Sequence, residues 1–343
     1  MRHQKKRWLA ALLTLCMLLS ILPSISLAFG ESEETWSGNR TNQTIDGGTH
    51  TITLSNLTID SPGLGKSAID ITGNADVTFI LEGNNTLSGR PNHPAIWVQS
   101  GSSVTFEGTG TLNTSAGGTT PGFGAAGIGG GYGASSNFGN ITINGGTIIA
   151  RGSGGGAGIG GGYEVGSGTV TGNVTINGGY VTAIGGSSGS TGGAGIGSGE
   201  NANYSGTVTI NGGVVYAEGG ADSTSIGSGN RAIGTSDNGA FTTGTGGNAV
   251  IVAPDGIGDP SGFADWDGIF ISYEGNNTSA TVGEDGTVHL NDTEANIQVW
   301  GEPVIDYPLV VESGTELRVV QNDRNYAYAT LEIGQDGRVR AVF

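Results

Sequence analysis

Short apolar runs recur along the chain in a fixed order: an apolar residue, a threonine and a second apolar residue. Three copies are each followed by Asn-Gly-Gly, and they are Ile141-Thr142-Ile143, Val174-Thr175-Ile176 and Val208-Thr209-Ile210. Because side chains alternate across a strand, both apolar residues of a copy share one face and the threonine takes the other. Asn and Gly tolerate positive φ, so Asn-Gly-Gly predicts a corner of the chain after each strand.

An isolated isoleucine, set among small residues, accompanies each copy and marks an internal repeat. The marker residues are Ile69, Ile96, Ile128, Ile159, Ile196 and Ile226, which lie 27, 32, 31, 37 and 30 residues apart. One such unit cannot bury its apolar face alone, whereas stacked units can. The pattern therefore predicts an all-β fold, a parallel β-helix over residues 45–255, preceded by a flexible lead over residues 29–44.

The composition of the sequence changes after Pro254, where glycine becomes rarer. Further strand-like runs follow, among them Gly268–Ile271, Ile297–Trp300 and Leu317–Val320. These runs predict a C-terminal all-β module or cap over residues 256–343. The pattern leaves open whether this part continues the stack of repeats or folds separately.

The first 28 residues have the pattern of a secretory signal peptide. Basic residues precede an apolar run from Trp8 to Leu22, and Ser26-Leu27-Ala28 is a small-x-small cleavage site. We therefore expect cleavage before Phe29 and a secreted or cell-surface protein, with an uncleaved membrane anchor as the alternative. The single cysteine, Cys16, lies inside the signal, so the exported chain must be stabilised without disulfides.

The chain is strongly acidic, with 13 Lys and Arg against 30 Asp and Glu and a net charge of −17. The predicted signal removes four basic residues and no acidic ones, which leaves 9 − 30 = −21. Such a charge repels nucleic acid and anionic membranes. We expect no nucleic-acid partner and no membrane insertion after the signal is removed.

No catalytic constellation stands out in the sequence, so no catalytic residue is predicted. The glycine runs lack the Lys-Ser/Thr of a phosphate-binding loop, and no zinc-ligand spacing occurs. A calcium-dependent polysaccharide lyase remains an alternative, because carboxylates hold calcium and an arginine can serve as base. Its candidate residues are Asp60, Asp70, Asp76, Glu82 and Glu107 for the metal, with Arg90 or Arg151 as the base. For any one of these carboxylates, however, a solvated surface position is the favoured explanation.

Aromatic residues recur at one place in the repeat, directly after Gly-Ile-Gly-Gly-Gly. Tyr132 and Tyr163 occupy this place, and stacking would set them about 5 Å apart. Aromatic rings with polar tips suit sugars, although these rings can also simply cover glycine backbone. The candidate carbohydrate-binding residues are Tyr132, Tyr163, Tyr204 and Trp97. Glu164 and Glu200, which lie beside them, are candidate calcium ligands.

Threonine forms a second recurring feature, on the face opposite the apolar residues. The predicted column comprises Thr53, Thr78, Thr105, Thr142, Thr175 and Thr209. A flat array of threonine side chains can order water, but stacked β-branched residues also stabilise a sheet.

The repeat resembles that of exported pectate-lyase-like, carbohydrate-binding β-helix proteins of Gram-positive anaerobes. The resemblance covers residues 45–255 and rests on GAGIGGGY, GNVTINGGYVTAIGG, SAIDITGNADVTFILEGNNTLSG and PAIWVQSGSSVTFEGTGTLNT. It implies a right-handed parallel β-helix that binds polysaccharide, with or without calcium, and without catalysis. A structural or adhesive surface spacer is the alternative function. No acidic motif matches position by position, so the resemblance identifies no metal ligand.

Overall fold

The structure, a computed structural model, describes the repeat region almost completely. It covers residues 34–60, 65–118, 123–133, 136–166, 168–230 and 249–258, together with nine strands at 238–243, 268–273, 280–282, 288–290, 295–300, 309–311, 317–321, 330–333 and 338–342. The predicted signal peptide lies outside these residues. All the secondary-structure elements delimited within these residues are β-strands. The described part of the protein is therefore all-β, as predicted.

The strands of the repeat region are short and follow one another closely. They are β1 (Glu34–Asn39), β2 (Gln43–Asp46), β3 (Thr49–Ile59), β4 (Ile69–Thr72), β5 (Asp76–Glu82), β6 (Asn84–Pro91), β7 (Ile96–Val98), β8 (Ser103–Gly108), β9 (Thr111–Gly117), β10 (Ile128–Gly129), β11 (Asn140–Ile143), β12 (Thr147–Arg151), β13 (Ile159–Gly160), β14 (Gly168–Val170), β15 (Val174–Ile176), β16 (Tyr180–Ile184), β17 (Ser187–Ser188), β18 (Thr191–Gly192), β19 (Ile196–Gly197), β20 (Ala202–Ile210), β21 (Gly213–Glu218), β22 (Ile226–Gly227), β23 (Asn238–Thr243) and β24 (Ala249–Val252).

Equivalent strands of successive repeats pair in parallel and build three stacks. The first stack is β1-β3-β5-β8-β11-β15-β20-β23 and the second is β6-β9-β12-β16-β21-β24, both within one 18-stranded sheet. The third stack, β2-β4-β7-β10-β13-β19-β22, is a separate seven-stranded sheet. Val174 pairs with Ile141 and Val208, and Ile159 pairs with Ile128 and Ile196. The predicted in-register stacking of repeats is therefore confirmed.

Apolar side chains from all three stacks fill one continuous core. At the N-terminal end of the core, Phe79 lies between Trp36 and Phe106, with ring centroids 6.3 and 5.9 Å apart. Trp36 belongs to β1, so the prediction of a flexible lead is wrong from Glu34 onward. A single buried tryptophan holds this otherwise polar segment against the end of the stack.

A column of glycines in the third stack sets how closely the repeats approach. Gly129, Gly160, Gly197 and Gly227 pair in order, with φ between 132° and 137°. A Cβ atom on any of the first three would lie 1.9–2.0 Å from the carbonyl oxygen of the next glycine. Only glycine combines this backbone conformation with this contact.

Asparagine side chains form a hydrogen-bonded ladder at the predicted Asn-Gly-Gly corner. Asn177 Nδ2 donates to Asn144 Oδ1 (2.8 Å), and Asn211 Nδ2 donates to Asn177 Oδ1 (2.6 Å). Asn144 Nδ2 in turn donates to Glu107 Oε1 (3.0 Å). The asparagines therefore link successive repeats in addition to shaping the turn.

The threonine column is present, with one member different from the prediction. Thr51 pairs with Thr78, whereas Thr53 pairs with Ile80. Both threonines point outward from the long strand β3, so only the register separates them. The column comprises Thr51, Thr78, Thr105, Thr142, Thr175, Thr209 and Thr242.

The C-terminal part consists of strands at or near the runs that the sequence singles out. They are β25 (Gly268–Tyr273), β26 (Ala280–Val282), β27 (Val288–Leu290), β28 (Ala295–Trp300), β29 (Leu309–Val311), β30 (Leu317–Gln321), β31 (Thr330–Ile333) and β32 (Arg338–Val342). β25 pairs in parallel with β24 and so extends the second stack. β28 then pairs antiparallel with β25, which ends the regular pattern.

Replacing Gly160 by alanine tests the glycine column. We expect Gly160→Ala to lower the free energy of unfolding by at least about 3 kcal/mol, because backbone strain and overpacking add. Gly189→Ala is the matched control, since Gly189 also has a positive φ but no atom within 4 Å of its Cβ position. The control should lose about 1–2 kcal/mol. If urea denaturation showed that both variants lose the same free energy of unfolding, the close approach at the glycine column would not be needed for stability.

Candidate functional site

Three aromatic rings stack along one corner of the repeat region. The ring centroids of Tyr132 and Tyr163 lie 5.6 Å apart at an angle of 14°, close to the spacing predicted. Phe123 extends the stack, with its centroid 5.1 Å from that of Tyr132. Backbone bonds hold the rings in place: Tyr132 N donates to Asn92 O, and Tyr163 N donates to Gly124 O.

The stack leaves its rings unequally exposed. Tyr132 lies between Phe123 and Tyr163, so both of its faces are covered. Tyr132 and Tyr163 are half-buried, whereas Phe123 is 41% exposed. A sugar needs an open ring face for stacking. The ring best placed to offer that face is Phe123, which the sequence analysis missed because it lies outside the repeated motif.

A groove of about 250 Å³ lies beside Phe123, lined also by Pro91, Asn92 and Gly118. The lining combines an aromatic ring, a proline ring and an amide side chain. Typical small-molecule pockets are about 300–1,000 Å³ in volume, so this groove suits a ligand group about the size of one sugar ring.

The other end of the stack contains the two predicted calcium ligands. Tyr163 Oη accepts a hydrogen bond from Asn201 Nδ2 (2.8 Å). Glu200 is buried, and its Oε2 has no hydrogen-bond partner. Glu164 N donates to Glu200 O (3.0 Å), while the Glu164 carboxylate accepts from the Ser136 hydroxyl. Within the described residues, no three His, Cys, Asp or Glu side chains form a group that could hold a metal ion.

Tyr204 does not belong to the surface, and its assignment as a sugar-binding residue is wrong. Its ring is fully buried and stacks on Phe138 with centroids 6.3 Å apart. Its hydroxyl donates to Gly172 O (2.8 Å). Burial raises the pKa of Tyr204 well above its ordinary value. A signal was available, because Tyr204 shares the alternation of the inward residues Val208 and Ile210.

Trp97 lies apart from the ring stack, on the outward face of the third stack of strands. It pairs with Asp70 on one side and Gly129 on the other. Its half-buried ring meets the edge of His93, with centroids 6.4 Å apart. Trp97 therefore neighbours a polar cluster and does not extend the stack of Phe123, Tyr132 and Tyr163.

That polar cluster contains a buried carboxyl group. Asp70 is 7% exposed, and neither its Oδ1 nor the buried Ser67 hydroxyl completes a hydrogen bond. Burial raises the pKa of Asp70, while the nearby charges of Lys66 and His93 partly counteract the rise. Burial also lowers the pKa of His93, against the opposing effect of Asp70. The cluster thus holds a carboxyl group whose ionisation is less favourable than that of an exposed aspartate.

The remaining candidates for lyase chemistry are dispersed. Asp76 and Glu107 lie in the first stack of strands, Asp70 lies in the third and Arg151 lies in the second. The structure therefore does not bring these side chains into one site.

Comparison with known proteins finds no matching family model, no similar curated protein and no similar solved structure. Within the described residues, no helix is long and apolar enough to cross a membrane.

Asp70→Asn tests the buried carboxyl group. A raised pKa means that the folded state prefers neutral Asp70, so parent stability should fall as the pH rises from 3.8 through the raised value. The variant should lack this loss and gain stability relative to the parent at pH 7. Urea denaturation between pH 3.5 and about 7 measures the difference in the free energy of unfolding between variant and parent.

The matched control is Asp222→Asn, which changes an exposed carboxylate. The free energy of unfolding of this variant should change with pH in the same way as that of the parent. If the difference in the free energy of unfolding between Asp70→Asn and the parent did not change with pH, the raised pKa of Asp70 would be contradicted.

Proposed function

We propose that the chain is a secreted or cell-surface polysaccharide-binding protein, built as a right-handed parallel β-helix and without catalytic activity. The observation that carries the proposal is the exposed aromatic ring of Phe123, which lines a groove of sugar-ring size. Export is supported by the predicted signal peptide at residues 1–28.

The ring stack explains why Phe123 can stay exposed and still be fixed in orientation. Tyr132 packs against its covered face, and Tyr163 packs against Tyr132. An aromatic platform that is already ordered loses little conformational entropy on binding. Pro91 and Asn92 complete the groove with an apolar ring and a hydrogen-bonding amide. This combination suits a sugar, which has an apolar face and a polar rim.

The placement of acidic groups supports binding without catalysis. A lyase needs a base beside bound metal, and the candidate carboxylates Asp70, Asp76 and Glu107 lie on three separate strands, β4, β5 and β8. Calcium at Glu164 and Glu200 remains part of the proposal as a structural ion, because the buried Glu200 Oε2 has no hydrogen-bond partner and carboxylate oxygens are calcium ligands. Its effect is measured by comparing calcium with chelator.

The test is retention of the full chain by a panel of neutral and acidic polysaccharides in affinity electrophoresis, with calcium and with chelator. We expect the parent to be retained and Phe123→Ala to weaken retention roughly tenfold, as for loss of a central aromatic contact. Val165→Ala is the matched control, because Val165 is also a large exposed apolar residue (57%). The control should be retained like the parent.

Three outcomes would contradict parts of the proposal. Equal weakening by Phe123→Ala and Val165→Ala would remove the groove as the binding site. New ultraviolet absorbance from unsaturated products would make the protein a lyase. Retention by none of the polysaccharides would remove polysaccharide binding and favour a structural or adhesive spacer.

A further inference from the structure

The outward face of the first stack of strands carries a regular trough of uncharged polar side chains. Its walls are Asn140 with Asn173 and Asn144 with Asn177, all exposed, and its floor is Thr142 with Thr175, both half-buried. The walls lie four residues apart along the strands, about 13 Å. The rows of the trough repeat about every 4.8 Å along the stack.

Hydrogen bonds between repeats hold the walls. Asn177 Nδ2 donates to Asn144 Oδ1 on one side (2.8 Å), and Asn173 Nδ2 donates to Asn140 Oδ1 on the other (3.1 Å). Asn173 Oδ1 also accepts from Thr207 N (3.0 Å). Ordered amides of this kind are already positioned for a ligand.

The ladder uses only half of the hydrogen-bonding capacity of its inner members. An amide side chain has two N–H donors and two acceptor lone pairs. Asn177 gives one N–H to Asn144 and accepts one from Asn211. Asn144 gives one N–H to Glu107 and accepts one from Asn177. Each therefore retains one donor and one acceptor, on exposed side chains.

The charge around the trough selects among polymers. Its six side chains are uncharged, and the acidic Glu107 lies at its N-terminal end. An anionic chain would find no cation in these six residues and would be repelled by a protein of net charge −17. An uncharged chain of sugars, with hydroxyls repeating at a spacing near that of the rows, pairs with donors and acceptors alike.

We propose that this trough binds an extended, uncharged polysaccharide lying along the stack of repeats. The inference rests on the proposed function and adds a second surface and a ligand class to it. The Phe123 groove holds one sugar ring at a corner, whereas the threonine column continues the floor of the trough from Thr105 to Thr209, about 14 Å, which spans successive sugars of a chain. The two surfaces come from different stacks and can be changed separately.

The test uses affinity electrophoresis with soluble β-glucan, xylan and mannan, and with polygalacturonate as the acidic comparison. The double variant Thr142→Tyr, Thr175→Tyr fills the floor, and strands accept tyrosine well at outward positions. We expect it to weaken retention by the neutral polymers roughly tenfold. Thr182→Tyr is the matched control, a half-buried outward threonine of the second stack, and it should be retained like the parent.

The double variant Thr142→Val, Thr175→Val removes the floor hydroxyls without filling the trough, and it decides the question if the tyrosine variant does not melt cooperatively. It should weaken retention several-fold. Loss of retention in Phe123→Ala but in neither trough variant would overturn the inference and leave the proposed function standing. Retention by polygalacturonate alone would overturn the ligand class, and retention by no polymer would overturn both proposals.

Discussion

The fold depends on the close approach of successive repeats at the glycine column. Gly129, Gly160, Gly197 and Gly227 pair in register, and a Cβ atom on the first three would overlap the next repeat. Each repeat must therefore lie directly on the previous one at this point. Differences in repeat length are accommodated at other positions of the repeat. The marker isoleucines are therefore spaced unequally along the chain, although their pairing is regular.

Because of this constraint, equivalent side chains of successive repeats form columns. These columns determine which chemical groups the surface presents. The same outward position recurs in each repeat, so threonine lies over threonine and asparagine over asparagine. Rings at the Tyr132 and Tyr163 positions stack on each other for the same reason. A column covers the faces of its own inner members, so the proposed binding surfaces lie at the end of a column, at Phe123, or between two columns, in the trough.

Much of the repeat region could be predicted, because alternation and repetition report directly on burial and pairing. The triplet Val174-Thr175-Ile176 has its apolar residues inward and pairs with its equivalents. The sequence-based predictions fail where a strand is longer than the repeated triplet. β20 starts at Ala202, and its alternation carries Tyr204 into the core. In β3, Thr51 and Thr53 share one face, so alternation cannot choose between them.

Other features depend on the three-dimensional arrangement and leave no local signal. Trp36 is one apolar residue in a polar segment, and only Phe79 of a later strand explains its burial. Phe123 lies outside the repeated motif, so its contact with Tyr132 follows from the path of the chain. The burial of Asp70 depends on the side chains that surround it, which no pattern along the chain reveals.

The scarcity of charge in the most regular repeats follows from the same stacking. Residues 140–217 contain three charged side chains, Arg151, Glu164 and Glu200, although the chain as a whole carries −17. Identical charges stacked in register would lie about 4.8 Å apart and repel one another. Glu164 and Glu200 lie outside the delimited strands. The regular faces are thus built from Asn, Thr and Gly, which stack on their own copies without charge repulsion, and the asparagines also bond to each other. Because those side chains are uncharged and evenly spaced, the surface complements an uncharged polymer of even spacing better than it complements a polyelectrolyte.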